Sequence, residues 1–155
     1  IRYGYRTSEF DSVDELMEKS RTEGFGDEVK RRIMLGTYTL SSGYYDAYYN
    51  KAEKFRKKLR YELKKVYEKY DLILSPTSPV LPFKIGEKND DPVAMYLADI
   101  YTINVNLGGN PAISLPCGVS KEGLPIGLQL IGDHFSEEKI FKAAYSLEKA
   151  LALDL

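Results

Sequence analysis

The chain has 155 residues, of which 43% are hydrophobic and 29% are charged. These values are typical of a folded globular chain and exclude collagen-like and disordered ones. A formal net charge of −1 excludes the globally basic field of many nucleic-acid-binding proteins. One cysteine allows no internal disulfide, which fits a cytoplasmic location, and one histidine disfavours a metal site of clustered His and Cys. No stretch reaches the roughly 18 apolar residues that a membrane helix needs.

Residues 1–70 are polar and rich in tyrosine, and their pattern predicts mainly helices. A short helix is expected over residues 14–19, with a break at residues 24–26. A second helix begins near Asp27 and Glu28, whose negative charges suit a helix N-terminus. Its apolar face is formed at a spacing of about 3.6 residues by Val29, Ile33, Gly36 and Leu40.

The strongest helical signal covers residues 45–70 and predicts one amphipathic helix of about seven or eight turns. Within it, residues 51–69 hold nine Lys or Arg and three Glu, a local excess of six positive charges. Such a stripe can attract phosphate groups, although the solvated face of a helix is its commoner meaning. The apolar positions of this helix are Tyr45, Tyr48, Ala52, Phe55, Leu59, Leu63, Val66 and Tyr70.

Residues 71–155 mix short apolar strands with helices, which places the chain in the α/β class. An Asp cap followed by Pro starts a helix near Asp91 that is expected to end near Thr102. Ser136 is expected to cap a final helix that ends near Leu151 and turns Ile140, Ala143, Ala144 and Leu147 inward. Buried strands are predicted at residues 72–74 and 126–131, and a further strand at residues 112–116.

Candidate serine nucleophiles lie beside the prolines near the apparent strand ends, at Ser75, Ser78 and Ser114. A serine hydrolase of the usual kind needs a base, and His134 is the one histidine available. The chain has no Gly-x-Ser-x-Gly elbow. A Ser–His pair is therefore disfavoured, and these serines are expected to cap turns.

Asp99 is the single charged residue between Pro92 and Ser120. So few charges predict a buried segment, in which a carboxylate needs a partner. On a helical wheel Asp99 points away from the apolar face, which leaves a polar pocket, a second partner or plain solvent exposure as alternatives.

Arg32 flanks the apolar face of the second helix at roughly 70° from its centre, whereas Arg31 lies nearly opposite that face. Arg32 is therefore expected to be the half-buried arginine of the two. A guanidinium suits a carboxylate bidentately. An inward Arg32 and an isolated Asp99 could together hold a zwitterion such as an amino acid.

The run from Gly24 to Tyr49 resembles the amidase signature family, and four later segments agree with it in order. Within the family, the Gly24–Tyr49 block is similar to the glutaminase subunits of glutamyl-tRNA(Gln) amidotransferases. The resemblance covers almost the whole chain. The later segments are residues 75–79, 91–100, 106–116 and 123–132.

The resemblance implies a single partial domain over residues 1–155, the C-terminal third of an amidase fold with a mixed sheet covered by helices. It also implies a cytoplasmic protein that hydrolyses glutamine and passes ammonia to a partner, which amidates glutamyl-tRNA(Gln). ATP and Mg are expected in that partner, and no cofactor is expected in this chain. The implied partners are glutamine, the B and C subunits of the complex, and tRNA, reached indirectly or through the basic helix.

The same resemblance assigns site residues. The family's arginine for the α-carboxylate of glutamine matches Arg32, and its aspartate for the α-amino group matches Asp99. The family's catalytic serine, cis-serine and lysine lie in a Gly/Ser-rich stretch that nothing here matches, so the isolated chain is expected to be inactive. Two alternatives stay open: a non-catalytic module that docks a partner or tRNA, and a related hydrolase of another small amide.

Overall fold

The computed structural model describes residues 3–87 and 91–153. The chain divides into two compact units, of which the first ends at Glu53 and the second begins at Lys54. The expectation of one partial domain over residues 1–155 stays a prediction.

The first unit contains helix α1 (Val13–Gly24), helix α2 (Asp27–Leu40) and a π-helical segment (Tyr45–Asn50). Helix α1 is longer than the predicted 14–19 segment, mainly because it continues to Gly24. The Ser12 hydroxyl caps its start by accepting a hydrogen bond from the Glu15 amide at 3.1 Å. The break at residues 24–26 is confirmed. The buried residues described in this unit are the polar Thr7 and Ser20, joined by a 3.1 Å hydrogen bond from the Thr7 amide to the Ser20 hydroxyl.

The predicted helix over residues 45–70 is confirmed only in part. The π-helical segment covers its first six residues, and α-helix α3 follows over Lys51–Tyr67. Tyrosine rings pack against one another in this region, with centroids 4.3 Å apart for Tyr38 and Tyr44 and 4.9 Å apart for Tyr45 and Tyr49. A π-helical turn differs from an α-helical one by a single residue in its hydrogen-bond spacing, and a segment of six residues is too short for the apolar pattern to show that difference.

The second unit is built on a three-stranded sheet with the order β1-β3-β2. Both strand pairs are antiparallel, so among the residues described the sheet is antiparallel and not mixed as expected. Antiparallel pairing of β2 with β3 follows from the short turn at residues 120–124 between them, which reverses the chain. The strands are β1 (Leu72–Pro76), β2 (Ala112–Val119) and β3 (Pro125–Gly132).

The last helix of the chain, α6 (Glu137–Leu151), covers one face of the sheet and forms the core with it. The inward orientation predicted for this helix is confirmed at two positions, since Ile140 is 3% exposed and Ala144 is 7% exposed. The helix lies so close to β3 that a methyl group added at Gly132 would lie 2.8 Å from Ile140 Cδ1. The remaining core side chains are Leu72, Ile113, Leu115, Leu128, Leu130 and Ala143.

The opposite face of the sheet carries a polar cluster around Gln129, next to the buried Ile131 of the same strand. Gln129 of β3 pairs in register with Ser75 of β1 and Ser114 of β2, and it alternates with the core residues Leu128 and Leu130. The α/β class is confirmed. The predicted burial of β1 is wrong at Leu74, which is 59% exposed. Leu74 pairs in register with the core residue Leu130 on the face that α6 covers, but its side chain is not among those packed in the core.

The helix predicted from Asp91 to Thr102 is two helices, α4 (Pro92–Ala98) and α5 (Ile100–Gly108). Its predicted start is confirmed, because Asp91 Oδ1 accepts hydrogen bonds from the amides of Val93 and Ala94, both at 3.0 Å. Asp99 separates the two helices with φ −98° and ψ 5°, values that do not continue an α-helix. Among the residues described, no helix is long and apolar enough to cross a membrane.

Candidate functional site

Arg32 lies in the second turn of α2, where its side chain is 64% exposed. Its Nε donates a hydrogen bond to Glu28 Oε1 at 2.9 Å, and Arg31 Nη1 lies 3.0 Å from Glu28 Oε2. The expectation that Arg32 is half-buried is therefore wrong for this structure. The apolar face that it flanks is itself exposed, with Val29 at 46% and Ile33 at 50%.

Asp99 lies at the junction of α4 and α5 and is exposed. Its carbonyl accepts hydrogen bonds from the amides of Thr102 and Ile103, both at 3.0 Å, and from the Thr102 hydroxyl at 3.0 Å. Helix α5 therefore starts from Asp99. A change in the path of this turn would move the Asp99 carboxylate with it.

The segment around Asp99 is less buried than its lack of charge predicted. Val93 is 64% exposed, Leu97 54% and Ile100 45%. The low charge of the segment indicated apolar surface correctly, but in the second unit the sheet core is occupied by α6, and these side chains are not part of it. Of the three alternatives kept for Asp99, the structure places it in contact with solvent.

Arg32 belongs to the first unit and Asp99 to the second. Their assignment to the two charged ends of one ligand stays a prediction. Both side chains are exposed. Arg32 lies near the acidic first turn of α2, and Asp99 lies in the backbone turn that precedes α5.

The three candidate serine nucleophiles have different hydrogen-bond partners. Ser75 Oγ donates to the Pro76 carbonyl at 3.1 Å, Ser78 Oγ donates to the Ala98 carbonyl at 3.2 Å, and Ser114 Oγ lies 2.7 Å from Thr77 Oγ1. His134 Nδ1 lies 3.5 Å from Asp133 Oδ1. Ser75 lies in β1 and Ser114 in β2, so the expectation that these serines cap turns is wrong for those two, and only Ser78 lies outside a strand. Among the hydrogen bonds of the described residues, none joins one of these serines to His134.

Gln129 is a residue of this region that the sequence pattern did not single out. It is 3% exposed, and its Nε2 donates to Ser75 Oγ at 2.9 Å, to the Pro76 carbonyl at 3.2 Å and to the Tyr101 carbonyl at 3.3 Å. The signal was present in the sequence, because Gln129 is a lone amide inside the apolar run 126–131. A buried amide in such a run must find partners.

The described segments, 3–87 and 91–153, contain no group of three or more His, Cys, Asp or Glu side chains that could hold a metal ion. The turn at Asp99 does accept several hydrogen bonds from neutral side chains. Two of these hydrogen bonds come from Ser78 and Gln129, the second of which lies on the sheet face opposite α6.

The amidase family model matches residues 1–141. The chain belongs to the amidase family. It is similar to glutamyl-tRNA(Gln) amidotransferase A subunit 2 of Clostridium acetobutylicum, with 72% identity over 149 residues that make up 96% of this chain and 31% of the relative. It is also similar to the A subunit of the same enzyme in Alkaliphilus metalliredigens, with 67% identity over 153 residues, or 99% of this chain and 31% of the relative.

Solved structures agree with this assignment. The crystal structure of the glutamyl-tRNA(Gln) amidotransferase A subunit from Thermotoga maritima superposes with a TM-score of 0.61 at 55% identity, covering 83% of this chain and 28% of that one. The allophanate hydrolase of Kluyveromyces lactis superposes with a TM-score of 0.67 at 26% identity, covering 87% and 21%. The chain thus spans about a third of the length of the curated relatives it matches, 31% for both the Clostridium and the Alkaliphilus protein.

Proposed function

We propose that this chain is the C-terminal, glutamine-recognising part of the glutaminase subunit of a glutamyl-tRNA(Gln) amidotransferase. The observation that carries the proposal is the 72% identity, over 96% of the chain, to a protein named as the A subunit of that enzyme. The Gly24–Tyr49 block, which distinguishes these subunits from other amidases, lies inside the matched region.

In this proposal Arg32 binds the α-carboxylate of glutamine and Asp99 binds its α-amino group. A planar guanidinium can donate two parallel hydrogen bonds to a carboxylate, and a carboxylate accepts from an ammonium group. Glu28 holds Arg32 through its Nε at 2.9 Å, so the substrate carboxylate would approach a guanidinium whose orientation is already set.

Hydrolysis of the side-chain amide requires a nucleophile that no residue of this chain supplies in the proposal. The serine, cis-serine and lysine of the family would come from the remainder of a longer chain. Ammonia released there would pass to a partner, which uses ATP and Mg to amidate glutamyl-tRNA(Gln) in the cytoplasm. The B and C subunits are the proposed partners, and tRNA is reached through them or through the basic face of α3.

Steady-state kinetics of glutamine hydrolysis in a full-length amidase carrying this segment test the proposal. Arg32→Ala is expected to raise the glutamine KM and to lower kcat/KM about 30- to 900-fold, the equivalent of roughly 2–4 kcal/mol for one lost charged contact. Asp99→Asn is expected to act in the same direction. Arg31→Ala is the matched control, because Arg31 contacts the same Glu28 and has no assigned role.

Unchanged glutamine kinetics in both Arg32→Ala and Asp99→Asn would contradict the proposal. The docking alternative predicts that result, together with weaker, less salt-dependent tRNA or partner binding after charge reversal at Lys57 and Lys58. The structure favours the solvated-face interpretation of α3 in one respect: Lys65 contacts Glu62 at 3.8 Å and lies 4.2 Å from the Tyr61 ring centroid, within its own helix. Hydrolysis of another small amide in preference to glutamine would favour the third alternative.

A further inference from the structure

Two side chains of the second unit hydrogen-bond to the backbone on either side of Asp99. Ser78 Oγ donates to the Ala98 carbonyl at 3.2 Å, and Gln129 Nε2 donates to the Tyr101 carbonyl at 3.3 Å. Ala98 immediately precedes Asp99, and Tyr101 follows it by two residues. The turn that presents Asp99 is therefore attached to the sheet region at both of its ends.

Gln129 is firmly held where it makes this contact. It lies in the central strand β3, is 3% exposed, and also donates to Ser75 Oγ at 2.9 Å and to the Pro76 carbonyl at 3.2 Å. A primary amide has two N–H bonds, so Gln129 shares them among three acceptors. A buried amide without hydrogen-bond partners costs free energy. The two contacts with β1 therefore hold the Gln129 side chain in the orientation that also reaches the Tyr101 carbonyl.

Ser78 is held by the backbone that precedes it. The preceding residue, Thr77, donates its amide hydrogen bond to the Gly127 carbonyl of β3 at 3.0 Å, and its hydroxyl lies 2.7 Å from Ser114 Oγ of β2. The Ser78 hydroxyl also accepts from the Val80 amide at 3.3 Å. The Ser78 hydroxyl therefore reaches Ala98 from a segment whose preceding residue is hydrogen-bonded to strands β2 and β3.

We propose that Ser78 and Gln129 are positioning residues that hold Asp99 in the place where it binds the α-amino group of glutamine. The proposal rests on the proposed function and names two further residues of that same site. A displacement of about 1 Å can cost on the order of a hundredfold in rate when a recognition group must meet its target in one geometry. An exposed acidic side chain on an unattached turn would not meet that requirement.

The experiment uses a full-length amidase carrying this segment and compares two substrates, glutamine and glutaramate, which is glutamine without its α-amino group. The variants are Ser78→Ala, Gln129→Met and Asp99→Asn. Ser146→Ala is the control, because its hydroxyl donates to the Lys142 carbonyl of α6 at 2.9 Å, far along the chain from Asp99. Amide hydrogen exchange at Thr102 and Ile103, which donate to the Asp99 carbonyl, reports on the turn itself.

The proposal expects Ser78→Ala and Gln129→Met each to raise the glutamine KM roughly tenfold to a hundredfold while the glutaramate KM changes little. Exchange at Thr102 and Ile103 should become faster in both variants and stay unchanged in Ser146→Ala. In the Asp99→Asn background, Ser78→Ala should add no further loss of glutamine affinity, because the group it positions has already been neutralised.

Equal losses for glutamine and glutaramate would overturn the proposal, since they indicate a general packing role. Selectivity here means the ratio of the glutaramate KM to the glutamine KM. If Ser78→Ala changes neither this selectivity nor amide exchange at Thr102 and Ile103, whereas Asp99→Asn abolishes the selectivity, the positioning role is overturned and the proposed function is left intact. Unchanged selectivity in Asp99→Asn would show that the assignment of Asp99 itself is wrong, and the positioning role would be rejected with it. Ser78→Ala removes one hydroxyl only, so the test survives if Gln129→Met fails to fold.

Discussion

Helices α2 and α6 have similar apolar patterns, but the apolar face of α6 is buried and that of α2 is exposed. In the second unit, Ile140 of α6 is 3% exposed and packs with Leu130 and Ala144. In the first unit, Ile33 of α2 is 50% exposed and Leu40 is 54% exposed. A helical period identifies the face that can be buried, whereas burial itself requires an element to lie against that face.

The same contrast holds for the polar residues. In the first unit the buried described residues are Thr7 and Ser20, which bond to each other. In the second unit the buried polar residue among those described is Gln129, which bonds across β1 and α5. The second unit therefore has an apolar core and a polar network on opposite faces of one sheet, whereas burial in the first centres on a polar contact.

The largest effect expected from this difference concerns two isoleucines in helices. Ile140→Ala should lower the free energy of unfolding by about 2–5 kcal/mol, because it leaves a cavity in the core of the second unit. Ile33→Ala should change it by no more than about 0.5 kcal/mol, because that side chain is largely solvated. Urea denaturation of the chain followed by circular dichroism measures both. A large loss in Ile33→Ala would show that the apolar face of α2 is buried in solution.

Replacing one glycine in each unit by alanine should change stability in opposite directions. A methyl group at Gly132 would lie 2.8 Å from Ile140 Cδ1, so Gly132→Ala should lower stability by about 1–3 kcal/mol through overpacking. A methyl group at Gly36, inside α2, meets nothing within 4 Å. Gly36→Ala should therefore raise stability by about 1 kcal/mol, the difference in helix propensity. Denaturation of the two variants side by side checks the signs, and destabilisation by both would contradict the open surroundings of Gly36.

The smallest effect concerns two tyrosines at alkaline pH. Burial, and then the Asp133 carboxylate, raise the pKa of Tyr67 in the second unit to about 12. Since an unfolded tyrosine ionises near about pH 10, the unfolded state loses its proton first, and stability should fall as pH rises from about 10 to 12. Tyr67→Phe should reduce that fall, as measured by urea denaturation at about pH 9 and about pH 11, on either side of the ordinary tyrosine pKa.

Tyr38→Phe is the matched variant in the first unit. The pKa of Tyr38 is also raised, mainly by its hydrogen bond with Tyr44, but its side chain is 48% exposed. Its contribution to the alkaline loss should be smaller than that of Tyr67, because solvent screens an exposed group. An equal reduction in both variants would contradict the stronger burial of Tyr67.

Much of the second unit could be predicted from local pattern. The inward residues of α6, the Asp91 cap and the apolar strand at residues 126–131 follow from helical period, capping chemistry and apolar runs, all of which act within a few residues. The break at Asp99 could not be predicted in this way. The carbonyls on either side of Asp99 accept hydrogen bonds from Ser78 and Gln129, which lie 20 and 28 residues away in sequence, beyond the reach of a local pattern.

Charge and position in the sequence single out Arg32 and Asp99, and a family resemblance assigns them roles. The sequence was less informative about their surroundings. It predicted a half-buried Arg32 and a buried segment around Asp99, and both side chains are exposed. Helical wheels rank the sides of one helix, and they carry no information on which side another element covers.

The sequence by itself determined most of the elements, the family and the two charged candidates, because these depend on residue identity and short spacing. The tertiary structure alone decided that the sheet is antiparallel with β3 at its centre, that the apolar face of α6 is buried whereas that of α2 is exposed, and that Gln129 reaches the turn at Asp99. The physical reason is that burial and long-range hydrogen bonds depend on which surfaces meet. Those surfaces belong to residues far apart in the chain, and a local sequence pattern carries no information on which of them are in contact.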